Sequence, residues 1–172
     1  MRVLRPLLLL LAAVAVYFLG MTASSSFSLY LDVFLVVVVL QALSGDTLGA
    51  ILLGLAAGIV QDTLPPNGPL GFGFANTLVA YGTARLAQRL VIQKATSVLG
   101  VVAFAAIVQQ TVLASLAYLL LPDPSLPLPW QVGVKALASG VLGMILYGAG
   151  ERFARARDAK RSAGATGRLR MG

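Results

Sequence analysis

Apolar residues run along this chain in long blocks, and polar or turn-forming residues gather in the short breaks between them. The blocks cover residues 4–22, 29–43, 47–63, 71–90, 96–121 and 130–150. The breaks read TASSSFS, SGD, LPPNGP, RLAQRLVIQK and PDPSLPLP, each carrying the Pro, Gly, Ser or charge that a turn needs. About 20 apolar residues in a helix cross a bilayer, and shorter helices are accommodated inside a bundle. The pattern therefore predicts an all-α integral membrane protein. It has six transmembrane helices in one domain over 1–150, followed by a basic tail over 151–172.

Composition sharpens this picture. Of the 172 residues, 58% are apolar and 11% charged, with a mean hydropathy of +0.88; a water-soluble domain carries about 25% charged residues. The stretch MRVLRPLLLLLAAVAVYFLG superficially resembles a signal peptide. No persuasive small-x-small cleavage site precedes a soluble segment, so it is expected to stay as the first helix. The chain contains no Cys and no His, which removes disulfide and thiolate chemistry and the commonest general base and metal ligand. No cofactor or metal is expected.

The net charge of +7 is topological rather than a nucleic-acid signature, because the basic residues are not interleaved with aromatics. With the N-terminus in the cytoplasm, Arg2, Arg5, Arg85, Arg89 and Lys94 lie inside. So do Arg152, Arg155, Arg157, Lys160, Arg161, Arg168 and Arg170, which leaves Lys135 as the single exception among thirteen. Both termini are expected inside, with the Pro-rich turns outside and with Tyr30 and Trp130 at the outer interface. The tail ERFARARDAKRSAGATGRLRMG reads as a positive-inside anchor with a disordered end, its helix interrupted by Gly164, Thr166 and Gly167. Contact with anionic lipid or a cytoplasmic partner is the alternative.

Charges inside the apolar mass are costly unless paired or at the interface. Asp32 opens the second span, Asp62 closes the third, and Lys135 lies about a turn into the sixth, all near the outer surface. Lys135 is expected near Asp32 or Asp62; the alternative is that each snorkels to water. Gln109 and Gln110 in the fifth span, with Asn76 and Thr77 in the fourth, read as interhelical hydrogen-bonding groups, or as the lining of a polar cavity.

Leading into and along the third span, Gly45, Gly49, Gly54 and Gly58 are spaced by four, five and four, which gives two GxxxG pairs for close helix approach. Ala136, Gly140 and Gly143 give the sixth span a similar face. These faces read mainly as internal packing, with a partner surface as the alternative. The segment GIVQDTLPPNGPLGFG then closes the third helix at Asp62. Pro65 and Pro66 stop it for lack of amide donors, Asn67-Gly68 supplies a turn, and Gly71 and Gly73 let the returning helix pack closely. GPLGFG follows no strand and lacks the Lys-Ser/Thr of a phosphate loop.

Asp32, the stretch GAILLGLAAGIVQD with Gly49, Gly54, Gly58 and Asp62, then Leu70-Gly71 and Tyr81 together resemble the MreD family. That family is the small integral-membrane subunit of the bacterial rod-shape machinery. The match covers about residues 30–90; Leu31 stands where the family often has Pro. The resemblance implies a non-enzymatic scaffold in the bacterial cytoplasmic (inner) membrane. It implies direct binding to MreC, with MreB, RodA and a class B penicillin-binding protein as complex members, and with Gly49, Gly54, Gly58, Asp62, Leu70, Gly71 and Tyr81 as partner-binding or packing positions. It also implies a fold like the substrate-binding subunits of energy-coupling-factor vitamin transporters.

Two other classes compete. A vitamin-capturing subunit of such a transporter fits the size and the outer polar residues. Its Ala-x-x-x-Ala coupling motif is missing from the first helix, which has Ala12, Ala13 and Ala15. An intramembrane enzyme lacks the His of rhomboid-type chemistry, and only Asp32 and Asp62 sit at one depth to hold an ion. No catalytic residue is expected.

Overall fold

The computed structural model describes residues 4–23, 30–64, 71–89, 95–122 and 127–169, with side chains described from 7 to 153 within those ranges. Among them all regular structure is helical: α1 (Leu4–Ala23), α2 (Val33–Leu43), α3 (Thr47–Thr63), α4 (Phe72–Arg89), α5 (Ala95–Leu120) and α6 (Pro129–Leu169). The expected Pro65-Pro66-Asn67-Gly68 turn and Leu70 lie outside the described residues. So do Arg2, Lys94 and most of the serine-rich break.

The architecture is organised by its shortest helix. The sequence of α2, VFLVVVVLQAL, is apolar on every side, and such a helix must be surrounded. All five other helices touch it. Its Val33, Phe34, Val37, Val38 and Ala42 pack with Ala13 of α1, with Ala50, Leu53 and Ala57 of α3, and with Ala80 and Ala84 of α4. Its Leu35, Val36 and Val39 pack with Val79 of α4, with Val98, Val102, Ala105 and Ala106 of α5, and with Ala136 of α6. Ala13, Ala50, Ala57, Ala80, Ala84, Ala105, Ala106 and Ala136 of the walls leave room for the branched and aromatic side chains of the post, which is how a close-packed interior is filled.

Two hairpins form most of the wall, α3 with α4 and α5 with α6. A turn of only three residues joins α2 to α3. Ser44 caps α2, Gly45 takes a φ of +82°, and Asp46 caps α3 by accepting the Gly49 N–H at 3.1 Å. At the far end of the first hairpin Gln88 Nε2 donates to Thr47 Oγ1 at 2.9 Å. In the second hairpin a side chain at Gly140 would reach the Leu99 carbonyl at 3.0 Å, and one at Gly143 would reach Val102 Cγ2 at 2.8 Å. The small-residue face of α6 therefore packs internally, against α5.

Two helices are long and apolar enough to cross a membrane, Ala95–Leu120 and the Pro129–Phe153 part of α6. Their apolar windows are only 33% and 22% buried, whereas the core helix of a water-soluble protein is mostly covered. The expected six spans correspond to six helices, of which four fall short of that measure. α2, with 11 residues, is about 16 Å long at 1.5 Å per residue.

The tail differs from its expectation. α6 continues as one helix of 41 residues through Leu169, past Gly164, Thr166 and Gly167. A helical Gly costs about 1 kcal/mol relative to Ala, and the segment's many Ala, Arg and Lys are strong helix formers.

Candidate functional site

The start of α2, the end of α3 and the starts of α4 and α6 converge at one end of the bundle. Asp32 is the N-cap of α2, with its Oδ1 accepting the Leu35 N–H at 3.0 Å. The cap satisfies an otherwise orphaned helix donor. Since α2 is enclosed, its cap is enclosed too: Asp32 is 3% exposed. Three further groups meet it. Its own N–H donates to Ser139 Oγ of α6 at 3.1 Å, and Gln61 Nε2 of α3 donates to Oδ1 at 3.1 Å. Lys135 Nζ of α6 stands 3.4 Å from Oδ2 and 6.0 Å from the centre of the Phe72 ring, a position that favours a cation over an aromatic face.

From Gln61 the hydrogen bonding continues across the bundle. Gln61 Oε1 accepts from Asn76 Nδ2 of α4 at 2.7 Å, and Asn76 Oδ1 accepts from Gln109 Nε2 of α5 at 2.7 Å. One polar chain, Lys135–Asp32–Gln61–Asn76–Gln109, therefore links α6, α2, α3, α4 and α5. A carboxylate only accepts, so Gln61 must turn its NH2 toward Asp32. That leaves its oxygen for Asn76, whose oxygen in turn faces Gln109. Every amide dipole is set by the charge at the end, and low surrounding polarity strengthens each step. Gln109 Oε1, at the last link, is buried with no hydrogen-bond partner, as are Asp32 Oδ2 and, at the other end of α2, Gln41 Oε1.

Asp62 stands apart from this chain. Adjacent helix residues point about 100° apart, so α3 aims Gln61 inward and Asp62 across at α4. There Asp62 Oδ1 accepts the N–H groups of Gly71 at 3.0 Å and Phe72 at 2.9 Å, and Oδ2 that of Gly73 at 3.1 Å. A negative charge at a helix N-terminus meets both orphaned donors and the positive end of the dipole. Gly71 has a φ of +110°, which L side chains rarely adopt. The ion pair of Lys135 is thus with Asp32, and Asp62 is a cap supplied by one helix to the next.

The glycines of α3 face α4. A side chain at Gly58 would collide with the backbone of Phe72 and Gly73, and one at Gly54 would come within 2.7 Å of the Asn76 carbonyl oxygen. Gly49 would collide with the Asp46 carboxylate that caps its own helix. All three positions are helix packing or capping, not open surface. Tyr81 points outward, 44% exposed, with Arg85 Nε donating to its Oη at 3.2 Å and the guanidinium 5.5 Å from its ring centre. Thr77 donates back to Gly73 O at 2.7 Å and Gln110 is half-buried; neither belongs to the chain. Two members of the site were not anticipated. Gln61 stood beside the more conspicuous Asp62, and Ser139 lies four residues after Lys135, one helical turn on the same face.

Chemically this is an anchor. The Asp32 carboxylate is already engaged by an ammonium, an amide and a backbone N–H, and the amides are locked in one direction. No family model, curated protein or solved structure matches the chain significantly.

Proposed function

We propose that the chain is a non-enzymatic scaffold subunit of a bacterial rod-shape and cell-wall elongation complex, of the MreD type. It crosses the inner membrane six times with both termini in the cytoplasm. It binds MreC directly and supports peptidoglycan synthesis together with MreB, RodA and a class B penicillin-binding protein. The observation that carries this reading is where the resemblance residues fall. Asp32, Gly54, Gly58, Asp62 and Gly71 are all spent on holding α2, α3 and α4 to one another, as a docking platform requires. The membrane reading is supported by the outward face: Leu52, Ile59, Phe74, Phe104, Leu119, Leu137 and Ile145 are among many large apolar side chains left exposed, an arrangement suited to lipid and not to water.

With Gly54 and Gly58 turned inward, the partner surface on α3 is the opposite stripe of Leu48, Leu52, Leu55 and Ile59. All four are exposed, and their spacing of four, three and four is that of a helix–helix seam. Because the chain has no Cys, a single Leu52→Cys reports cleanly. Tagged protein taken from native membranes in mild detergent should bring MreC and cell-wall synthesis proteins with it, and Leu52→Cys should cross-link to MreC. Recovery of transporter ATPase subunits or a bound vitamin would overturn the scaffold reading in favour of the capture subunit. The observation favouring that second reading is the buried Gln109 Oε1, which has no hydrogen-bond partner at the end of the polar chain.

A further inference from the structure

Directly below the Asn76–Gln109 link, α4 and α5 part. The cleft between them holds about 460 Å³, within the roughly 300–1,000 Å³ of small-ligand sites. Leu78, Leu86, Val101, Phe104 and Val108 form its walls, and Gly82 and Gly100 also line it. A side chain built at either glycine would meet nothing within 4 Å. These two glycines are unlike Gly54 and Gly58: no neighbour requires them, and what they leave is open space.

The cleft runs from Leu78 to Leu86 on α4 and from Ser97 to Val108 on α5, about 12–16 Å at 1.5 Å per residue. That is the depth of one leaflet, half of a hydrocarbon core of about 30 Å. In the proposed orientation its Leu86 and Ser97 end lies toward the cytoplasm. A transmembrane helix of a partner would run the full depth, and above the cleft Asn76 and Gln109 already tie α4 to α5. One acyl chain of a lipid in the inner leaflet matches both the depth and the apolar walls.

The rim selects the headgroup. Tyr81 lines the cleft, and Arg85, which is not itself in the lining, lies against Tyr81 through both its Nε and its guanidinium face. Arg85 has no carboxylate partner among the described residues. Arg89 follows one turn later, at the cytoplasmic end of α4, and Ser97 is exposed at the same end of α5. Basic groups beside an interhelical crevice on the cytoplasmic side are the recognised chemistry for anionic lipid.

We propose that the α4–α5 cleft binds one anionic phospholipid of the inner leaflet, with an acyl chain over Gly82 and Gly100 and the phosphate at Arg85. The proposal rests on the membrane reading and its orientation, but not on the identity of the protein partner.

Native mass spectrometry of the full chain in mild detergent, titrated with phosphatidylglycerol or with phosphatidylcholine of the same chains, tests it. The expected result is one retained phosphatidylglycerol. Gly100→Leu, whose Cβ meets nothing within 4 Å and whose side chain occupies the cleft, should weaken retention at least tenfold. Arg85→Gln should cut the preference for phosphatidylglycerol by about fivefold, from ~1 kcal/mol per basic residue near a lipid surface. Free glycerol phosphate should not compete. Competition by it would replace the lipid with a soluble phosphate ligand and overturn the proposal. Retention unchanged by Gly100→Leu, or cross-linking of a partner helix to Gly82→Cys, would overturn it as well. Each variant is first extracted at alkaline pH. Release from the membrane fraction by the wild type would sink the membrane reading itself, whereas membrane-integral variants with wild-type retention would sink only the lipid site.

Discussion

Asp32 and Asp62 are the same residue type at the same end of the bundle, yet they do different work. Asp62 is half-buried and holds three backbone N–H groups. Asp32 is enclosed and carries an ion pair whose two side chains are 12% and 1% exposed. Lys135→Ala leaves that carboxylate buried and unpaired, and should destabilise the protein by about 3–5 kcal/mol, as broken buried pairs do. Asp32→Asn and Lys135→Ala should therefore be strongly non-additive, while Asp62→Asn and Lys135→Ala should add to within about 0.5 kcal/mol. Unfolding in detergent of the singles and both doubles measures this, and additivity at Asp32 would dissolve the pair. The sequence marks all three charges as anomalies in an apolar setting, but not which carboxylate Lys135 takes. Both candidates lie at one depth, and the choice depends on the angular setting of α3, which sends Gln61 to Asp32 and Asp62 to α4.

At the scale of elements, helix boundaries were legible because Pro, Gly, Ser and charge cluster in the breaks. Residual differences have local causes. α2 starts at Val33 rather than 29 because Asp32 accepts from Leu35 N–H and caps it. α6 runs to Leu169 because two glycines are outweighed by good helix formers. What spacing does not reveal is which glycines are structural. Gly58 and Gly82 look alike in the sequence, but only Gly58 is pressed against another backbone. Gly58→Ala should cost about 1–3 kcal/mol through overpacking. Gly82→Ala should be neutral or stabilise by up to about 1 kcal/mol from helix propensity alone. Thermal unfolding of the two variants side by side decides this, and equal losses would mean that the α3–α4 contact is looser than described.

At the scale of the molecule, apolar side chains crowd the exterior while hydrogen-bonded amides and an ion pair occupy part of the interior. In the proposed orientation the turn holding Ser44 faces the cytoplasm and Leu128 faces outward; both are exposed. In a chain without Cys, a membrane-impermeant thiol reagent should label Leu128→Cys in spheroplasts. Ser44→Cys should react only after lysis. The opposite pattern would invert the topology and with it the positive-inside assignment.

The enclosed position of α2 also says something about time. In the chain the central post precedes most of the walls that surround it, and Asp32 meets Ser139, a residue 107 positions later. At a synthesis rate of about 5–20 residues per second, the early aspartate waits roughly 5–20 s for α6 to bring its counter-ion and hydroxyl. Until then the first five helices hold a carboxylate without its ammonium, and only the last helix can bring Lys135 to it.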